Sequence, residues 1–197
     1  MLPLENQPER ICILRLSAVG DATHTVPVVR AIQDYWPGTH ITWIIGKLEY
    51  KLLSGLNDVE FIVFDKRGGW PALRGLSEAM SERRFDVLLH MQVAARANQL
   101  SRLIRAPDRL GWDKARSRDF HHHTPRQQHP DVPLHHPVAG FLQYPRARGI
   151  EVGAPRGDLP IEPAAHDWVA EQLPDDAPLL LISPCSSHEL RNWRAEY

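Results

Sequence analysis

The sequence predicts an α/β fold, a Rossmann-like parallel sheet with flanking helices. Three observations carry that expectation. Short apolar runs alternate with segments of helical spacing from Arg10 to Trp112. The runs are apolar throughout rather than alternating, the pattern of strands buried on both faces. Gly, Pro and Asp fall between the segments, where turns are needed. Composition agrees. The 197 residues are 43% hydrophobic, enough for a sizeable core. Lys and Arg number 23 against 24 Asp and Glu, a net charge of −1, which argues against coating nucleic acid by bulk charge.

The elements follow in order. Arg10–Leu16 (RICILRL) reads as a buried strand, and Ser17–Asp21 as a tight loop after it. Thr23 to Tyr35 carries Val26, Val29, Ala31 and Ile32 at helical spacing, and Pro37-Gly38 stops it. Ile41–Ile45 and Glu60–Phe64 are the next strands. Pro71 to Arg83 is an amphipathic helix with Leu73, Leu76 and Met80 on one face. Val87–Met91 is a strand, Ala94 to Ile104 a helix, and Arg109–Trp112 a short strand. In such sheets ligands bind beyond the carboxyl ends of the strands. The loops at 17–21, 65–70 and 92–96 are therefore the candidate site.

From Asp113 to Pro137 the composition turns to Arg, His, Gln and Pro with no period, which reads as a long irregular loop. His121–His123, His129, His135 and His136 crowd it. No cysteine or carboxylate cluster accompanies them at ligand spacing, so no metal is assigned and the loop reads as solvated. Val138–Arg148 is a helix ended by Gly149. The first domain is therefore expected over 1–150. Residues 151–178 form a linker and a helix (Ala164–Leu173). Residues 179–197 hold a strand, Leu179–Ser183, and a loop leading into a helix near Trp193. One strand and one helix cannot bury a sheet face alone, so this end reads as the opening of a truncated second α/β domain. Two cysteines, Cys12 and Cys185, are too few for a disulfide framework and suit a reducing compartment. The opening residues carry no secretory apolar stretch, and no run reaches the ~20 apolar residues of a spanning helix.

Gly20 permits close approach of the backbone after the first strand. Asp21 stands near the following helix N-terminus, where it fits both a cap and an acid–base group. His24 lies three residues on. The glycine pattern of dinucleotide-binding loops is missing, since Ser17–Gly20 holds one glycine.

Read whole, Leu16 to Pro27 (LSAVGDATHTVP) resembles the N-terminal signature of the lipopolysaccharide heptosyltransferases, glycosyltransferase family 9. Asp86 to Gln92 is similar to the family's strand that leads into an Asp-x-Gln segment. Gly111 to Asp119 and Ser183 to Trp193 are further matches, the last resembling the family's donor-side loop. The resemblance implies a GT-B architecture of two Rossmann-like domains, of which this chain holds the acceptor-side one and the start of the donor-side one. It implies inverting, metal-independent transfer of heptose from ADP-heptose to the Kdo–lipid A inner core, with no cofactor beyond that donor. By position, Asp21 matches the family's general base. Ser186, Ser187 and Arg191 match the residues that hold the donor diphosphate, with Arg where the family commonly has Lys. His24, Gln92, Arg96 and Arg118 match acceptor-side positions, and Lys66 and Arg67 correspond loosely to its basic loop. Each is also readable as an ordinary surface or capping residue. The resemblance also implies a cytoplasmic protein, peripheral to the inner face of the inner membrane. Two other readings stay open: a non-catalytic remnant that binds an anionic glycolipid or a partner, and an unrelated Rossmann-like nucleotide binder.

Overall fold

A computed structural model of the chain describes residues 4, 6–112, 127–128, 137–173, 178–183 and 192–193. The first elements are β1 (Arg10–Leu14), α1 (Val19–Thr23), α2 (Val26–Tyr35), β2 (His40–Gly46), α3 (Lys47–Leu53) and β3 (Val59–Phe64). After these come α4 (Gly69–Met80), β4 (Val87–His90), α5 (Ala95–Ser101), β5 (Asp108–Gly111) and β6 (Gln127–Gln128). The remaining helices are α6 (Pro137–Phe141), α7 (Gln143–Arg146) and α8 (Pro163–Gln172).

The strands form one parallel sheet in the order β3-β2-β1-β4-β5-β6. β1 alternates across it. Ile11 and Ile13 face a core shared with α2 (Val26, Val29, Ile32) and with Phe141 and Tyr144. Cys12 and Leu14 face a second core with Leu76 and Met80 of α4 and with Ala97 and Leu100 of α5. Side chains of successive strand residues point to opposite faces, so an unbroken apolar run is what two covered faces require. The chain runs from β1 outward to β3, then returns through α4 to β4 on the other side of β1. That reversal creates a switch point between β1 and β4, where such sheets open a crevice at the carboxyl edge.

The expected strands are all present through β5. The helices differ in ways proline explains. The segment expected as one helix from Thr23 starts at Val19 and breaks before Val26. Pro27, in the first turn of α2, has no N–H to continue α1. Val138–Arg148 is likewise split at Leu142, because Pro145 cannot donate to the Phe141 carbonyl. Gly149 follows with φ 87°, the left-handed conformation that ends a helix. Helix α3 was not expected at all.

The chain packs as two compact units, Met1–Pro160 and Ile161–Tyr197. The first extends past residue 150, where the composition changes. Ile150 is buried in the core, and Val152 and Leu159 pack against it. Arg156 and Asp158 pair with Asp34 (3.4 Å) and Arg30 (3.0 Å). In the second unit Leu179–Ser183 is exposed and forms no strand, contrary to the sequence reading. Among the described residues of that unit there is no second strand for it to pair with. Most of the 113–137 loop, including its histidines, lies outside the described residues, as does Cys185. Among the described residues no helix is long and apolar enough to cross a membrane.

Cys12 is fully buried in the second core, and burial pushes its thiol well above the ordinary range. The thiolate is the reactive form. In a Cys185→Ser variant, a disulfide reagent at neutral pH is expected to titrate no thiol in the native protein and one after unfolding. Rapid labelling of the native variant would contradict this burial.

Candidate active site

Beyond β1 and β4 lies an open cleft of about 430 Å³, lined by Arg15, Ser17, Ala18, Asp21, Gln92, Val93, Trp112 and Phe141. It occupies the switch point. Its polar centre is an ion pair between Arg15 and Asp21. Arg15 directly follows β1, and its side chain is 9% exposed; that of Asp21 is 45% exposed. The guanidinium also donates to the Met91 carbonyl and lies 5.3 Å from the centre of the Phe141 ring. Burial pulls Arg15 below its ordinary value, and the adjacent Asp21 carboxylate opposes that shift. An arginine remains protonated under such a shift, so a lasting positive charge stands beside Asp21.

Asp21 is not a cap. The cap position of α1 is Ala18, which has no side-chain bond, and Asp21 sits in the first turn with its carboxylate turned to Arg15. Gly20 is helical, and a Cβ there would meet open space, so its expected close approach is not found. The glycine that does allow close approach is Gly46, whose Cβ would overlap the Leu16 carbonyl and the Glu49 carboxylate.

Gln92 is committed on both ends of its amide. Its Oε1 accepts from the Leu16 N–H (2.6 Å) and the Ser17 N–H (3.1 Å). Its Nε2 donates to the Ser17 hydroxyl (3.1 Å). It lines the cleft by tying the β1 loop to the β4 loop. The apolar wall is fixed in the same way. The Trp112 indole donates to the Met91 carbonyl (2.9 Å), and the Tyr144 hydroxyl donates to the His90 carbonyl (2.9 Å). Trp112 meets Phe141 edge-on at 5.3 Å. His24 is the C-cap residue of α1, lies 5.9 Å from Phe141, edge to face, and does not line the cleft.

The basic residues gather along the same sheet edge. Lys66, after β3, lies 3.6 Å from the Oε1 of Glu49, a carboxylate with only 3% of its side chain exposed. Arg96, in the first turn of α5, donates to the Lys66 carbonyl (2.6 Å). Arg67 lines an open cleft of about 460 Å³ with Lys66, Lys47 and Lys51. The structure thus joins Asp21 with Gln92, and Lys66 with Arg67 and Arg96. Arg118, Ser186, Ser187 and Arg191 lie outside the described residues. Sequence reasoning missed Arg15, Glu49, Trp112 and Phe141. A charge inside the apolar run RICILRL was the available signal for Arg15. Glu49 lay in the helix that was not expected.

Over 189 residues the chain is 36% identical to the lipopolysaccharide core heptosyltransferase OpsX of Haemophilus influenzae, a match that spans 96% of this chain and 54% of that protein. The chain is a relative of the lipopolysaccharide heptosyltransferases. It corresponds to their N-terminal portion and spans about half the length of the curated relative it matches. No family model matches it. Among solved structures, a glycosyltransferase of family 9 from Veillonella parvula is similar with a TM-score of 0.71 and 21% identity, over 88% of this chain and 52% of that one. The E. coli heptosyltransferase WaaC with ADP-2-deoxy-2-fluoro heptose is similar with a TM-score of 0.70 and 20% identity, over 95% and 62%. At those identities the structures speak for the fold, which is that of half a GT-B heptosyltransferase.

Gln92→Leu removes three hydrogen bonds between the β1 and β4 loops. Each donor left without a partner costs about 1–3 kcal/mol, at the low end where water reaches it. Urea unfolding is expected to show a loss of roughly 2 kcal/mol, and hydrogen exchange at the Leu16 and Ser17 amides should accelerate. Unchanged exchange at both amides would contradict the tie.

Proposed function

We propose that this chain is the acceptor-side part of a glycosyltransferase that moves heptose from ADP-heptose to the Kdo–lipid A inner core. One observation carries the reading: Asp21, the residue matching the family's general base, faces the switch-point cleft with its carboxylate held by a buried arginine. The kinship with heptosyltransferases supports the reaction class. The neighbouring heptosyltransferase structure with ADP-2-deoxy-2-fluoro heptose supports a nucleotide-sugar donor.

In this mechanism an acceptor hydroxyl enters the cleft beside Asp21. The carboxylate takes the hydroxyl proton as the oxygen attacks the anomeric carbon of heptose, and ADP leaves from the opposite face. A single displacement of that kind inverts the anomeric centre. Lys66, Arg67 and Arg96 supply positive charge for the acceptor's carboxylates and phosphates. Arg118 joins them by position. Gln92 and His24 act through the loops and the aromatic ring they hold. On the donor side Ser186 and Ser187 donate to the diphosphate and Arg191 neutralises it, so no metal or cofactor takes part. The acceptor is lipid-anchored, which sets the reaction at a membrane surface on the cytoplasmic side.

The test is turnover with ADP-heptose and Kdo–lipid A. A protein spanning the full length of the relatives is expected to form product, and residues 1–197 alone are not. In the full-length protein Asp21→Asn should lower turnover ~10²–10⁴-fold, the usual worth of a general base, with acceptor binding nearly unchanged. Wild-type turnover in Asp21→Asn would reduce Asp21 to a structural partner of Arg15.

A further inference from the structure

The chain has a net charge of −1, yet among the described residues lysines and exposed apolar side chains meet on α3 and the start of α4. Helix α3 presents Lys47 and Lys51 beside Leu48 and Leu52, each pair four residues apart and so on one face. Leu48 is 63% exposed and Leu52 39%. The start of α4 adds Trp70, which is 83% exposed. These two groups adjoin through Lys66. It lines one open cleft with Leu48 and Lys51 and another with Trp70 and Leu73. Of the carboxylates here, Glu49 is buried against Lys66 and Asp65 lies 4.0 Å from Lys47. Positive charge dominates what solvent meets.

The geometry points to a docking surface for an anionic lipid membrane, formed by α3 and the start of α4. A tryptophan this exposed, and two exposed leucines on the helix that adjoins it through Lys66, are unfavourable in water but suited to the boundary between headgroups and acyl chains. Lys47, Lys51 and Lys66 match the negative surface potential of anionic leaflets. Both features belong to one lipid interface. A soluble anion would use the charges and leave Trp70, Leu48 and Leu52 in water. The surface lies at the sheet's carboxyl edge, on the same side as the Asp21 cleft, so docking would present that cleft to a lipid-anchored substrate. The inference extends the membrane-surface reading above, but its test contains no sugar acceptor and stands apart from transfer.

The experiment is co-sedimentation of the 197-residue chain with vesicles. Binding is expected to phosphatidylcholine vesicles carrying roughly one-third phosphatidylglycerol and not to phosphatidylcholine alone, and it should weaken as salt rises. Lys47→Glu with Lys51→Glu should lower the partition coefficient about 10-fold or more. Trp70→Ser should lower it several-fold. Arg84→Glu, an exposed charge reversal on the loop leading into β4 at the opposite sheet edge, should leave it unchanged. Circular dichroism verifies that each variant is folded. Absence of binding, equal binding to neutral vesicles, or wild-type binding by the lysine pair variant would each overturn the proposal. So would self-association that Trp70→Ser abolishes without any vesicle binding, which would make a second copy of the chain the occupant.

Discussion

The site is organised around one buried charge. Arg15 stands where the central strand ends, and its guanidinium is almost entirely out of water. A cation in that position is costly unless its donors and its charge are met. Three parts of the chain meet the charge and the two terminal nitrogens, while Nε is left without a partner. Asp21 of α1 gives the counter-charge, the Met91 carbonyl after β4 accepts a hydrogen bond, and Phe141 of α6 offers its ring. Asp21 and Phe141 also border the cleft, as do Gln92 and Val93, which directly follow Met91. Solvating one arginine therefore positions a carboxylate, a loop and an apolar wall relative to each other.

The loops around that charge are held by bonds that would be hard to exchange. Gln92 satisfies two backbone donors of the β1 loop with a single oxygen, which fixes the distance between β1 and β4 beyond their last paired residues. On the other side of β1, Gly46 lets the end of β2 pass against the Leu16 carbonyl. Trp43 donates from its indole to the Arg15 carbonyl (3.0 Å) and closes the set. A parallel sheet leaves the carboxyl ends of its strands to be finished by loops. Here the finishing is done by an amide side chain, an indole and a missing Cβ, rather than by a glycine-rich phosphate loop.

Much of the fold was legible because parallel strands buried on both faces write themselves as apolar runs. RICIL, ITWII and VLLH are such runs, and each is a strand. Helix α3 was not legible. It has seven residues, follows β2 without a turn residue other than Gly46, and buries only Glu49 and Leu53, so it shows no amphipathic period. Leu179–Ser183 failed in the opposite sense: an apolar run is necessary for a buried strand but cannot supply its partner. At the site, position at the carboxyl ends of the strands marked the loops that hold Asp21 and Gln92, and the resemblance to the heptosyltransferases singled out the two residues. Their contacts were not readable, because Arg15 and Asp21 are six residues apart along a strand end and a helical turn. Only the fold decides whether such residues touch.

The Arg15–Asp21 pair also bears on how the proposed chemistry would divide its work. A carboxylate that already balances a buried guanidinium gives up that interaction when it accepts a proton. Arg15 would then keep the Met91 carbonyl, the face of Phe141 and the weaker attraction of Glu49, but lose its adjoining counter-charge. In the proposed transfer, Asp21 exchanges its ion pair with Arg15 for the acceptor's proton as the new bond forms. Two further contributions act with it: holding the acceptor hydroxyl against the anomeric carbon, and cations that take up the charge of the departing diphosphate. Asp21 returns to its partner once the proton leaves to water. An arginine suits that arrangement, since it holds its charge through the cycle and its planar fork can keep the carboxylate oriented while one oxygen is engaged.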